Sequence, residues 1–356
     1  SLRGDRRMSP LSRRAVLGGL AAASGAAALP AAGLAQANRW ATAPDLPIRV
    51  QEIYPALAGG TLYLAGGLFA DEAQGGSINV SDRLFAFTPG DEAWTERARL
   101  PVATHHPACQ GIGGRLYAAG GFNPVSGGAW GMTEAVRIYD PEADRWSDGP
   151  SLPFPFAETV TAVLDGRLHV ATGRRPTGGA NANWNDHGDV ADHVVLDVGS
   201  GRWETARPAP TPRNSAAGAL LNERWHLIAG RTVGGGNTPV HEVYDAEADR
   251  WDSAAPLPVP AQGPHGSGGL AAGVLDGVIY AFGGEWFSDG GGVYTQVWAY
   301  DARTDSWTDA AAMPTPRHGL GAVTAPFQRR PAIYTIGGAA GRGGNATSAV
   351  VEVFLG

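Results

Sequence analysis

Short apolar runs alternate with turn-forming residues along this chain at a nearly constant spacing. Tryptophans at 40, 94, 146, 203, 251 and 307 mark the period, with intervals of 54, 52, 57, 48 and 56 residues and 49 residues after the last. Each Trp is followed by a Leu-Pro-like pair: Leu46-Pro47, Leu100-Pro101, Leu152-Pro153, Ala209-Pro210, Leu257-Pro258 and Met313-Pro314. A small-residue apolar run comes next, then a tight turn such as Asp165-Gly166 or Asp276-Gly277. The following run ends in glycine: LYLAGG, LYAAGG, LHVATG, WHLIAG, IYAFGG and IYTIGG. A variable loop leads to runs such as VRIYDPEADRW, HEVYDAEADRW and VWAYDARTDSW, which end on the next Trp. The runs are alternating or β-branched and no helical period appears, so each repeat predicts four short antiparallel strands.

The punctuation has physical reasons. Asp-Gly supplies the positive φ of a two-residue hairpin. Gly-Gly at a strand end allows a backbone approach that a Cβ would block. A buried Trp removes ~150–250 Å² from water, so six of them form a large packing term. In the order of Gly-Gly, Tyr-Asp and Trp, residues 38–356 resemble the kelch family, which implies an all-β, six-bladed kelch β-propeller. Blade three departs at Thr172-Gly173 and at Leu196-Asp197, and blade four at Ala229-Gly230. The chain opens on a Trp strand and ends on VVEVFLG, so the strand around Trp40 is predicted to complete the last blade as its outermost strand.

Residues 1–37 fall outside the repeats. Ser12-Arg13-Arg14-Ala15-Val16-Leu17 precedes an Ala/Gly-rich apolar stretch that closes on Ala35-Gln36-Ala37. That pattern predicts a twin-arginine signal cleaved after Ala37, and periplasmic or secreted localisation. The remainder, 38–356, is one domain carrying 22 Arg, no Lys and 33 acidic residues, a net charge of −11. Such a surface argues against nucleic acid and, once the signal is removed, against membranes. The single cysteine, Cys109, allows no intramolecular disulfide. A monomer without cofactor is expected.

Turns of an up-and-down blade alternate between two faces. One face carries the uniformly tight turns. The other carries the variable loops 68–82, 122–135, 174–191, 231–240, 285–295 and 339–349, where function more often sits. Just past the glycines of that face stand Arg174, Arg231 and Glu285. Gln51, Glu52, His105, His106, Glu158, Asn214, His265 and His318 start the innermost strands. These residues should crowd the mouth of the central channel, bringing together groups suited to acid/base work or to a polar ligand. Phe69, Trp130, Trp184, Trp286, Phe287 and Tyr294 fall in loops of the same face, and flat rings there suit stacking on sugars. His169 and His226 occupy the slot of Tyr63, Tyr117 and Tyr280, a packed strand position. No metal site is assigned: NWNDHGD at 183–189 lacks calcium-loop spacing, and neighbours such as His105 and His106 on a strand should point to opposite faces.

Three functions are compatible with these residues. The first is an exported module binding a small polar molecule, a glycan or a protein at the loop face, with Glu52, His106, Glu158, Arg174, His265, Trp130, Trp184 and Trp286 as ligand contacts. The second is a sugar isomerase, because the export signal, the kelch blades and Phe282-Gly283-Gly284-Glu285 resemble the periplasmic sialate epimerase (mutarotase) family. That resemblance implies Glu285 as base; Arg231 would orient the ligand, His318 would donate the proton, and Arg174 or Arg231 would hold a sialate carboxylate. The third is a copper radical oxidase. His105-His106-Pro107-Ala108-Cys109 resembles the cysteine strand of galactose oxidase, but Glu158 stands where the partner tyrosine should be.

Overall fold

The computed structural model describes residues 39–261, 263 and 265–356; the export signal expected at 1–37 lies outside them. The repeats form six four-stranded antiparallel sheets. Their innermost strands are Ala56–Ala58, Ala108–Ile112, Val160–Leu164, Ala217–Leu221, Ala271–Leu275 and Gly321–Phe327. These pack in cyclic succession, the sixth against the first, which leaves only short inner edges around the centre of the ring. The sixth sheet takes its outermost strand, Trp40–Thr42, from the other end of the repeat region, with Trp40 opposite Phe354. The closure that the repeat phase predicts is therefore present. Among the described residues no helix is long and apolar enough to cross a membrane.

Each repeat Trp does more than bury a ring. Its indole N–H donates to a backbone carbonyl of the preceding sheet: Trp94 to Pro44, Trp146 to Ala98, Trp203 to Pro150, Trp251 to Arg207, Trp307 to Ala255, and Trp40 to Ala311, at 2.8–3.1 Å. Trp40, Trp94 and Trp251 are buried, whereas Trp146, Trp203 and Trp307 are only half-buried. The six bonds run round the whole ring. A second latch explains the recurring Tyr-Asp runs. Tyr139, Tyr244 and Tyr300 donate to Asp144, Asp249 and Asp305 at 2.6–2.8 Å. Those carboxylates accept the N–H of Ala98, Arg207 and Ala255 in the preceding sheet. Trp251→Phe keeps most of the apolar surface and deletes one donor. It is expected to lower stability by about 1–3 kcal/mol, read from the urea midpoint at unchanged slope.

The Gly-Gly signature sits where neighbouring sheets approach most closely. Gly283 and Gly284 have φ of 59° and 94°, and the Gly284 N–H donates to the Arg317 carbonyl of the next sheet at 2.9 Å. A Cβ on Gly283 would overlap that carbonyl. Blades three and four keep the same backbone without the first glycine: Thr172 and Ala229 have φ of 50° and 55°. The sequence departures there cost about 1–2 kcal/mol each rather than changing the fold.

Candidate functional site

In five of the six sheets the chain reaches the loop-face mouth five positions after the first residue of the Leu-Pro-like pair. Gln51, His105, Ala157, Asn214, Gly268 and His318 pair there with Leu68, Phe122, Arg174, Arg231, Glu285 and Ala339 respectively. The next residue of each sheet is left-handed: Glu52, His106, Glu158, Ser215, Gly269 and Gly319 have φ between 52° and 66°. Four backbone bonds link these positions across sheets. Gly269 donates to Ser215, Gly319 to Gly269, Glu52 to Gly319 and His106 to Glu52, at 2.8–3.3 Å. Non-glycine residues held left-handed are strained, and such strain gathers at functional sites.

The side chains at this ring form one ionic network. His106 Nε2 lies 2.8 Å from Glu52 and 3.7 Å from Glu158. Glu158 faces Arg174 at 3.4 Å and Arg231 at 3.7 Å. Arg231 donates to Glu285 Oε1 at 2.6 Å, and the Gly343 N–H donates to Glu285 Oε2 at 2.8 Å. His318 uses Nε2 to donate to the carbonyls of Gly341 and Gly343, at 3.0 and 2.8 Å. Its Nδ1 has no hydrogen-bond partner and lies 3.5 Å from Glu285 and 3.7 Å from Glu52. A proton on that nitrogen would be shared by two carboxylates.

Burial and charge compete at each group. Burial alone would raise the Glu52 carboxyl, but His106, His318 and Arg231 outweigh it and hold Glu52 well below the usual carboxylate range. Burial likewise opposes the charge on Arg231, yet Glu158, Glu285 and Glu52 raise it. Burial, helped by the charges of Glu158 and Glu52, drives Tyr54 well above its ordinary value. Burial and then His106 push His105 well below the imidazole range.

The structure thus brings Glu52, His106, Glu158, Arg174, Arg231, Glu285 and His318 together. It corrects two expectations. His105 and His106 do not point apart: His106 has φ of 54°, which folds the pair so that the Nδ1 atoms lie 2.7 Å apart. His265 is exposed and away from the ring, where its sheet contributes Gly268 and Gly269. Eleven positions separate Leu257 from Gly268 rather than the five seen elsewhere, because VPAQGP is inserted.

The aromatics divide. Trp130 packs edge-on to His105 and Trp286 packs on Tyr294, both half-buried. Phe69 packs against the core and Tyr294 is buried. Trp184 and Phe287 are exposed, by 39% and 50%. Trp184 covers the Arg174 guanidinium at 3.4 Å, while Arg231 lies 5.6 Å from the Phe287 ring. His169 and His226 are buried, each paired at 2.9 Å with a second histidine, His193 and His241.

Sequence reasoning missed Ser215, Gly269 and Gly319 as ring positions, and also Tyr54 and Gly343. Counting five residues from each Leu-Pro would have found the ring in five of the six sheets. No sequence signal marks the Gly343 N–H, which reaches Glu285 from the loop of another sheet.

Cys109 lies in the core between the first two sheets, and burial pushes its thiol up to about 12. Among the described residues no three His, Cys, Asp or Glu side chains gather as a metal-holding group.

Comparisons with known proteins agree with this architecture. The Kelch motif family matches residues 103–153 and 267–314. The chain is similar to Kelch-like protein terF of Aspergillus terreus, 28% identical over 318 residues, covering 86% of this chain and 67% of that protein. It is similar to Kelch-like protein 35 of Mus musculus, 26% identical over 184 residues, covering 51% of this chain and 27% of that protein. Beta-scruin of Limulus polyphemus is 23% identical over 274 residues, covering 77% of this chain and 29% of that protein. The chain therefore spans less than a third of the length of the latter two. The structure titled "Structure of YjhT" superposes with a TM-score of 0.70 at 18% identity, covering 87% of this chain and 96% of that one, a likeness of fold.

Proposed function

We propose that this chain, a kelch-type β-propeller, binds a polar ligand of the carbohydrate class at its loop-face mouth. One observation carries the reading. The ionic network is otherwise buried, but the Glu52 and Arg231 side chains stay 14% and 15% exposed, and Phe287 beside Arg231 is half open. A carboxylate, a guanidinium and a flat ring are the groups that recognise hydroxyls and the apolar face of a sugar. The twin-arginine segment supports a periplasmic or secreted setting for such binding.

The test is saturation-transfer NMR against a panel of monosaccharides and oligosaccharides. Arg231→Gln is expected to weaken binding by about tenfold or more. If no sugar of the panel binds, or the variant binds as the parent does, the reading fails.

A second reading, a sugar isomerase, draws on the position of His318 Nδ1 between Glu52 and Glu285. Mutarotation needs an acid at the ring oxygen and a base at the anomeric hydroxyl, and His318 would supply the acid. Glu285 is a weak candidate for the base, since both of its oxygens are already engaged. For an acidic sugar such as sialate, Trp184 covers Arg174 and leaves Arg231 as the accessible guanidinium. Anomer-exchange NMR separates the readings: binding without faster exchange means a binding module.

A further inference from the structure

Resting on the reading of the mouth as a carbohydrate site, we infer that the site takes an uncharged sugar ring, that Glu52 is the carboxylate it meets, and that acidic sugars are refused. The inference rests on how the charges are already spent. Three carboxylates, Glu52, Glu158 and Glu285, face two guanidiniums, Arg174 and Arg231. A proton on one of the two imidazoles of the network, His106 or His318, brings the groups into balance. Arg174 is fully buried, gives NH2 to the Trp184 and His187 carbonyls at 2.8 and 3.2 Å, and lies under the Trp184 ring. Arg231 donates from NH1 to Glu285 at 2.6 Å and from Nε to Asn214 at 3.2 Å, and its NH2 lies 3.7 Å from Glu158. A ligand carboxylate placed on the exposed part of Arg231 would enter the field of all three glutamates, each of which already acts on that guanidinium. Like charges in a partly desolvated site oppose binding strongly.

Glu52 has the opposite character. Glu285 is closed by Arg231 and the Gly343 N–H, and Glu158 is buried. Glu52 Oε2 lies 2.8 Å from His106 Nε2 as an ion pair, while Oε1 stands 3.7 Å from His318, beyond hydrogen-bonding distance. That oxygen is free to accept from a neutral hydroxyl. The neighbouring ring residue keeps it in place: a Cβ on Gly319 would stand 2.9 Å from the Glu52 carboxyl carbon. Glycine there leaves the space that the carboxylate occupies. Glu285 then serves as a positioning residue for Arg231 and for the loop at Gly343.

The test compares sugars of one ring and different charge by saturation-transfer NMR and calorimetry: glucose with glucuronate, and galactose with galacturonate. The parent protein should bind at least one neutral hexose and bind its uronate at least about tenfold more weakly. Glu52→Gln should weaken the neutral sugar and at the same time narrow or reverse the preference against the uronate. Merely structural damage would weaken both alike. A uronate bound as well as its neutral partner overturns this inference and leaves the carbohydrate reading standing. Binding of neither class overturns both. Gly319→Ala, which crowds Glu52 without removing charge, should weaken the neutral sugar; unchanged binding also counts against Glu52 as the contact.

Discussion

Acidification is expected to unfold the propeller cooperatively at about pH 4–5, at the upper edge of the range in which carboxylates of an unfolded chain take up protons. The cause is two buried histidine pairs between sheet strands. His169 Nδ1 meets His193 Nε2, and His226 Nδ1 meets His241 Nε2, both at 2.9 Å. The outer histidine of each pair gives its other nitrogen to a carbonyl, Arg207 or Ala255, that also accepts a repeat Trp. Burial, and for His169 and His226 the partner imidazole, push His169 and His226 down to about 3; burial pushes His193 and His241 down to about 4.

Depressed histidines stabilise the fold while they stay neutral. Their contribution is fully present above the unfolded value near 6.5 and is lost as pH falls toward the folded values, because the unfolded chain takes up protons that the folded chain refuses. At pH 5 the loss is about 2 kcal/mol per histidine, and four such losses are comparable to a whole domain's stability of ~5–15 kcal/mol. The Glu52 carboxylate, held low by its partners, adds a loss of the same sign at still lower pH. Tryptophan fluorescence against pH measures the transition. The fifth sheet supplies a control, because Tyr280 and Val297 occupy the corresponding slots there. The double variant His226→Tyr/His241→Val should unfold at a midpoint about half a pH unit lower, and an unmoved midpoint would remove the histidines as the cause.

Arg317→Ala is expected to cost about 3–5 kcal/mol. Arg317 is fully buried and donates to Glu352 at 2.8 Å, to the Gly337 and Val350 carbonyls at 2.7 and 3.0 Å, and to Thr335 at 3.0 Å. Truncation strands a buried carboxylate and two carbonyls at once. They belong to the sheet that joins the two ends of the repeat region, so their loss loosens the closure itself. The fourth sheet repeats the device with Arg213, Glu242 and Thr211, at 2.6 Å for both contacts to the carboxylate. Urea unfolding of Arg317→Ala, Glu352→Gln and the double variant should show losses that fall short of additive by about 2 kcal/mol. Additive losses would mean that the two groups stabilise the sheet independently.

The mouth was partly legible before any coordinates. Glu52, His106, Glu158, Arg174, Arg231, Glu285 and His318 share one face because strand alternation and repeat phase fix which end of a blade each reaches. His265 was misplaced because an insertion between Leu257 and the inner strand shifts the count, and residue type alone does not mark a shifted register. The convergence of His105 and His106 was illegible for a different reason. It depends on a left-handed residue in a sequence, HHP, that gives no glycine to announce it.

From the sequence alone come the repeat, the strand order within it and the closure through Trp40, because periodicity, turn chemistry and the phase of the two ends are local properties of the chain. Only the tertiary structure decides that the Trp indoles tie each sheet to the one before, that Trp184 seals Arg174, and that Glu52 keeps a free oxygen where Glu285 does not. Those facts depend on distances between residues far apart in the chain, and on which charges reach one another once water is excluded. No local pattern encodes them.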